Sequence, residues 1–206
     1  MPRSARKDPR QWPLDGQRIL VVEDNAHTAA LVRQALLAAG AFEVIVAGDG
    51  SQALAVLAQM RPDVLVTDMV MPVTGGLELI NAVRQAALAP NVGVPDPTIP
   101  IVLVSAFANR QSVRDAQAAG IDAFVVKPFS LGSLVKRVDR AGRRTVDFII
   151  GPNYIGPDRR AKVGRGARRR SDPTEAAAAV DSASQLKALY ARIKAIESER
   201  VGEAAA

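Results

Sequence analysis

Short apolar runs in this chain end in polar residues of complementary kinds. Glu23 and Asp24 follow Arg18-Ile19-Leu20-Val21-Val22, Asp68 follows Val64-Leu65-Val66-Thr67, Ser105 follows Ile101-Val102-Leu103-Val104, and Lys127 follows Ala123-Phe124-Val125-Val126. One such Asp alone would be read as capping a turn. Three carboxylates brought to one place repel unless a cation holds them. A ligand set of oxygens, without Cys and with a single His in the whole chain, points to a hard ion, and Mg²⁺ fits best because it takes a few carboxylates and keeps its waters. A carboxylate beside Mg²⁺, an ammonium (Lys127) and a hydroxyl (Ser105) suits attack by Asp68 on a phosphoryl group. The neighbours stabilise charge on the transferring oxygens, and the product is an aspartyl phosphate.

These residues need a scaffold that brings strand ends together. Strands are expected over residues 18–22, 42–47, 63–67, 99–104 and 123–126, where the runs are short, β-branched and bounded by turn residues. Helices are expected over residues 27–39, 51–60, 77–88 and 109–119, with a fifth starting after Ser130 and running to about residue 140. Gly40 and Gly120 are placed to end the first and fourth helices, and the proline-rich stretch 89–98 must be a loop. Strict alternation of strands and helices implies an α/β fold, a doubly wound five-stranded parallel sheet with helices on both faces. Ligands of such sheets sit at the carboxyl ends of the strands, where the polar residues are expected.

The combination resembles the receiver domain of bacterial two-component response regulators, a CheY-like, flavodoxin-like fold. The matching residues are Val21-Val22-Glu23-Asp24-Asn25, Asp68-Met69-Val70-Met71-Pro72, Gly76-Leu77-Glu78-Leu79, Ser105-Ala106 and Lys127-Pro128-Phe129. The resemblance implies that Asp68 is the phospho-acceptor and that Glu23, Asp24, Asp68 and the Val70 carbonyl arrange the Mg²⁺ shell. Ser105 and Lys127 would contact the phosphoryl group, the Lys127-Pro128 bond would be cis, and Ser105 and Phe124 would form a switch. The implied donor is a phosphohistidine on a sensor histidine kinase or histidine phosphotransfer protein. Two features are particular to this chain: Glu23 stands where Asp is commoner, and Phe124 offers no hydroxyl at the switch position. Val70 and Phe107 are apolar flanks expected to hinder a hydrolytic water and lengthen the life of the phosphoryl group.

Other classes find little support. Aspartate-nucleophile phosphatases need an acid two residues after the nucleophile, and that position is Val70. There is no Walker-type Gly-Lys loop or GxGxxG fingerprint, and His27 alone cannot make the chain a histidine kinase as well. The chain is accordingly expected to be no independent enzyme. Zero cysteines exclude disulfides and thiolate metal sites. The basic start is followed by no apolar stretch, and no run reaches the roughly 18 residues of a membrane span, so a cytoplasmic location is expected.

The net charge of +6 belongs to one segment, since residues 143–173 hold nine basic and three acidic residues. Four divisions follow: a flexible arm at 1–17, with Trp12-Pro13-Leu14 able to pack locally; a receiver at 18–141; an Arg/Gly/Pro-rich extension at 142–173; and an amphipathic helix at 174–206. The extension is expected to be extended and irregular. It is either a solvated linker or a segment whose Phe148, Ile149, Tyr154 and Ile155 lie back on the receiver or a partner. Its Arg159, Arg160, Arg165, Arg168, Arg169 and Arg170 are candidates for binding an anion, nucleic acid or a cyclic dinucleotide. In the final stretch Leu186, Leu189, Ile193 and Ile196 make an apolar stripe suited to docking on the receiver, a second copy or another protein. No helix-turn-helix core is evident in the last 63 residues. The expected output is therefore protein–protein interaction, with an anion-binding effector as the alternative and nucleic acid a lesser prospect.

Overall fold

Asn25, Asp49, Asn109 and Ser130 each precede a helix, and each side chain accepts a hydrogen bond from the backbone N–H three residues on. These caps punctuate the computed structural model, which describes residues 12–88, 94–107, 109–144, 147–151 and 153–159. The elements are β1 (Arg18–Val22), α1 (Ala26–Ala38), β2 (Glu43–Ala47), α2 (Gly50–Met60), β3 (Val64–Asp68), α3 (Gly76–Gln85), β4 (Ile101–Ser105), α4 (Arg110–Ala118), β5 (Ala123–Val126), α5 (Leu131–Gly142), β6 (Phe148–Gly151) and β7 (Tyr154–Pro157). The first five strands form one parallel sheet in the order β2-β1-β3-β4-β5. Its direction of winding reverses between β1 and β3, the place where such sheets open a crevice.

Alternate residues of the strands feed two apolar layers. Ile19, Val21, Val64, Val66, Val102 and Val104 pack with α1 and α5 on one face. Leu20, Leu65, Ile101 and Leu103 pack with α2, α3 and α4 on the other. Leu20, Leu65 and Leu103 are fully buried. Each contributes about 1.5–3 kcal/mol by leaving water.

The expected boundaries move where local chemistry dictates. Pro100 cannot donate to a ladder, so β4 begins at Ile101, while the Pro100 carbonyl still accepts from Leu65 N–H at 2.9 Å. Helix α3 stops at Gln85, and Ala87 and Leu88 continue as turns bonded to Arg84 and Gln85. Gly40 and Gly120 take φ of +95° and +91° after α1 and α4, as closing glycines do.

Two larger differences concern the flanks. Trp12 to Gln17, assigned to a flexible arm by sequence, is built into the domain: Leu14 is fully buried, its N–H donates to Ala39, and Asp15 bridges to Ala41. The extension after α5 is not irregular throughout, because β6 and β7 pair antiparallel through Phe148–Pro157 to Gly151–Tyr154. Gly151 and Pro157 lie at strand ends, and Gly156 sits within β7 opposite Ile149, where they limit a hairpin without forbidding it. The hairpin rests on the receiver, with Arg84 and Arg144 guanidiniums 5.1 and 5.0 Å from the Phe148 ring centroid. Of the two readings of this segment, the one that lays Phe148, Tyr154 and Ile155 back on the receiver describes it. Residues 160–206, including Arg160, Arg165, Arg168, Arg169, Arg170 and the Leu186 stripe, lie outside the described residues.

Candidate functional site: a carboxylate pocket at the strand ends

Strands β1, β3 and β5 deliver their C-terminal residues to one crevice because they run parallel and in register. Val22 pairs with Thr67, and Asp68 lies opposite Val104. The oxygens of Glu23, Asp24 and Asp68 come within 4.8 Å of one another. Glu23 is 8 % exposed, Asp68 partly buried and Asp24 exposed, so the cluster is open to water on one side. Lys127, from the turn after β5, reaches across: its Nζ lies 2.5 Å from Asp68 Oδ2 and 3.0 Å from Glu23 Oε2. Burial by itself lowers the Lys127 pKa, but hydrogen bonds and charge from Asp68 and Glu23 outweigh it and hold the ammonium above its ordinary range.

The backbone around Asp68 is fixed from three sides. Asp68 Oδ1 accepts from Met69 N–H at 2.6 Å and Val70 N–H at 3.4 Å, and the Thr67 hydroxyl donates to the Asp68 carbonyl. Gly76 packs directly beneath that carbonyl, and any Cβ there would collide with it. Lys127 N–H donates to Ser105 at 2.8 Å, and the Lys127-Pro128 bond is cis, as the resemblance implied.

Ser105 is fully buried, and its hydroxyl is engaged away from Asp68. It accepts from Phe107 N–H at 2.9 Å and can donate to the Phe107 carbonyl at 3.1 Å or Met69 Sδ at 3.2 Å. Phe124 is partly buried against the α2/α3/α4 layer. Val70, two residues after Asp68, and Phe107, in the loop after β4, have exposed side chains.

Three carboxylates against one ammonium leave an excess negative charge of two among oxygen ligands. That donor set fits a small hard divalent cation open to solvent.

A second polar centre was not anticipated from sequence. Arg84 on α3 is 2 % exposed, donates to the carbonyls of Gly120, Pro97 and Ile99, and pairs with Asp122 at 3.3 Å. Burial pushes its pKa down to about 10, with Asp122 opposing the shift, so it stays charged at neutral pH. Asp122 also holds Arg144 at 2.8 Å and accepts from Ile101 N–H. The available signal was Arg84's position four residues after Ile80 on a helical face that also carries Leu79 and Val83.

The model of the response regulator receiver domain family matches residues 19–139. The transcriptional regulatory protein PrrA of Mycobacterium tuberculosis is 36 % identical over 158 residues, covering 71 % of this chain and 62 % of PrrA. The DNA-binding response regulator MtrA of Mycolicibacterium smegmatis is 34 % identical over 131 residues, 64 % of this chain and 53 % of MtrA. The chain thus spans little more than half the length of these curated relatives. Among solved structures, the Vibrio cholerae chemotaxis protein CheY4 superposes with a TM-score of 0.54 at 30 % identity, over 61 % of this chain and 98 % of CheY4. The receiver domain of the Pseudomonas aeruginosa sensor histidine kinase PA1611, solved with magnesium in its active-site cleft, gives 0.54 at 27 % identity, over 63 % and 99 %. No helix among the described residues is long and apolar enough to cross a membrane.

Proposed function

Since this chain belongs to the family of response regulator receiver domains, we propose that it accepts a phosphoryl group on Asp68 in a Mg²⁺-dependent reaction and signals by protein–protein contact. The observation that carries the proposal is the grouping of Glu23, Asp24 and Asp68 within 4.8 Å, bridged by Lys127. The donor is a phosphohistidine of a sensor histidine kinase or a histidine phosphotransfer protein. An Asp68 carboxylate oxygen forms the new P–O bond as the donor's P–N bond breaks, and the imidazole nitrogen keeps the electron pair.

Glu23, Asp24, Asp68 and the Val70 carbonyl are the residues that would hold Mg²⁺, which when bound neutralises charge on the phosphoryl oxygens. Lys127 exchanges its contact with Asp68 for one with a phosphoryl oxygen. The Ser105 hydroxyl must leave the Phe107 backbone to reach the phosphoryl group. That exchange releases the loop after β4 and gives the Phe124 ring room to change its packing, which links the state of Asp68 to the surface. The exposed apolar side chains of Val70, Val73, Phe107 and Val126 border the strand ends and suit a protein partner.

The test is incubation with acetyl phosphate and Mg²⁺, followed by intact mass measurement. One added phosphoryl group is expected on the wild type and none on Asp68→Asn or without Mg²⁺; labelling that survives in Asp68→Asn overturns the assignment. The names of PrrA and MtrA favour a second reading, output through DNA. Light scattering and duplex DNA titrations of the full chain, with and without beryllofluoride, separate the two. A mass change on activation supports protein contact, whereas DNA affinity gained on activation supports the other.

A further inference from the structure

Helix α5 ends in a run of arginines. Arg137 and Arg140 lie three apart on its surface, and Arg143, its C-cap, and Arg144 follow just past its end. The hairpin returns Arg159 to the same place, where its guanidinium donates to the Ile121 carbonyl. Between α5, the start of β5 and residues 157–159 lies a cleft of about 500 Å³. Because α5 runs antiparallel to the strands, this cleft sits at the end of the sheet opposite Asp68.

The carboxylates facing the cleft do not balance the arginines. Asp122 is already bonded to Arg84, Arg144 and Ile101 N–H. Asp139 is held by Arg143 at 2.6 Å, and Asp158 is the third. Among the described residues no ion pair engages Arg137 or Arg140, and both are exposed. The C-terminal end of α5 adds roughly half a negative charge, which the excess of two arginines exceeds. Ala123, Ala141 and Pro157 supply apolar wall between the charged groups.

We propose that this cleft binds a phosphate-bearing small molecule of nucleotide size. A volume of about 500 Å³ lies in the range of small-molecule sites. Planar guanidinium forks match pairs of phosphate oxygens, and the site is concave where a surface for duplex nucleic acid would be open and extended. The site is separate from the carboxylate pocket and does not depend on its phosphorylation. It also uses α5 arginines outside the cluster that the sequence singled out.

The experiment is calorimetric titration of the full chain, in Mg²⁺-free buffer at about 150 mM salt to screen loose surface attraction. The probes are pyrophosphate, ATP and cyclic di-GMP, with duplex DNA as a separate arm. At least one small phosphate compound is expected to bind and to shift the amide resonances of Ala123, Arg140 and Arg159. Arg137→Gln/Arg140→Gln should weaken it by about tenfold or more while leaving the melting temperature near that of the wild type. Absence of binding by all three small probes, affinity unchanged in the double variant, or resonance shifts confined to other regions overturns the proposal. So does binding of duplex DNA alone.

Discussion

Val73 is 87 % exposed and sits at φ +66° in the loop between Asp68 and α3, a left-handed conformation that a β-branched residue adopts only under strain. Its side chain contributes almost no burial to offset that strain. Val73→Gly is therefore expected to stabilise the protein by about 1 kcal/mol, after the greater chain entropy of glycine is subtracted; urea unfolding with an unchanged slope checks it. Lys127 offers a second test at this scale. Its folded pKa is raised above the ordinary 10.5, so its contribution to stability is complete below that value and is lost as pH climbs through the folded value. In Mg²⁺-free buffer, Asp68→Asn should bring the Lys127 pKa down, as read from its Cε resonance in a pH titration, and an unmoved pKa would show that Asp68 is not the cause. Val70 and Phe107 put exposed apolar side chains on the loops that follow β3 and β4, and an aspartyl phosphate on Asp68 is expected to persist well beyond seconds in Mg²⁺. A chase by intact mass measures that lifetime.

The β6–β7 hairpin and helix α3 depend on one another. Arg84 satisfies three backbone carbonyls around the starts of β4 and β5, and Phe148 covers its guanidinium and that of Arg144. Removing the arginine leaves those carbonyls without their donor in a buried place and leaves Asp122 with only Arg144 and the Ile101 N–H, so Arg84→Ala should cost about 3–5 kcal/mol. Phe148→Leu keeps much of the apolar cover and loses the ring face, for an expected cost of about 1 kcal/mol. The difference between the two, measured by denaturant unfolding, separates charge satisfaction from simple coverage. Gly120 is the hinge of this contact: at φ +91° it lies against the Ile155 carbonyl, and any Cβ there would push the hairpin away.

Seen as a whole, the molecule places its two polar centres at opposite ends of one sheet, with the carboxylate pocket at the strand C-termini and the Arg84–Asp122 network beneath the hairpin. A chain ending at Arg144 should therefore unfold at lower urea than one ending at Arg159, yet still accept a phosphoryl group on Asp68. Equal midpoints would mean that the hairpin adds nothing to the receiver. Five strands, five helices and the pocket residues were legible in the sequence for a physical reason. Parallel strands buried on both faces read as unbroken apolar runs, and their polar ends stand out wherever the chain must meet a ligand. Glu23, Asp24, Asp68 and Lys127 needed only the parallel order of the strands to converge. The engagement of Ser105 with Phe107, the packing of Trp12 to Gln17 and the hairpin's place on Arg84 were decided by tertiary structure. Local periodicity carries no information about which distant surface will cover a short, glycine-broken segment. A buried arginine is intelligible only once the carbonyls it satisfies, from residues 97, 99 and 120, have been brought around it.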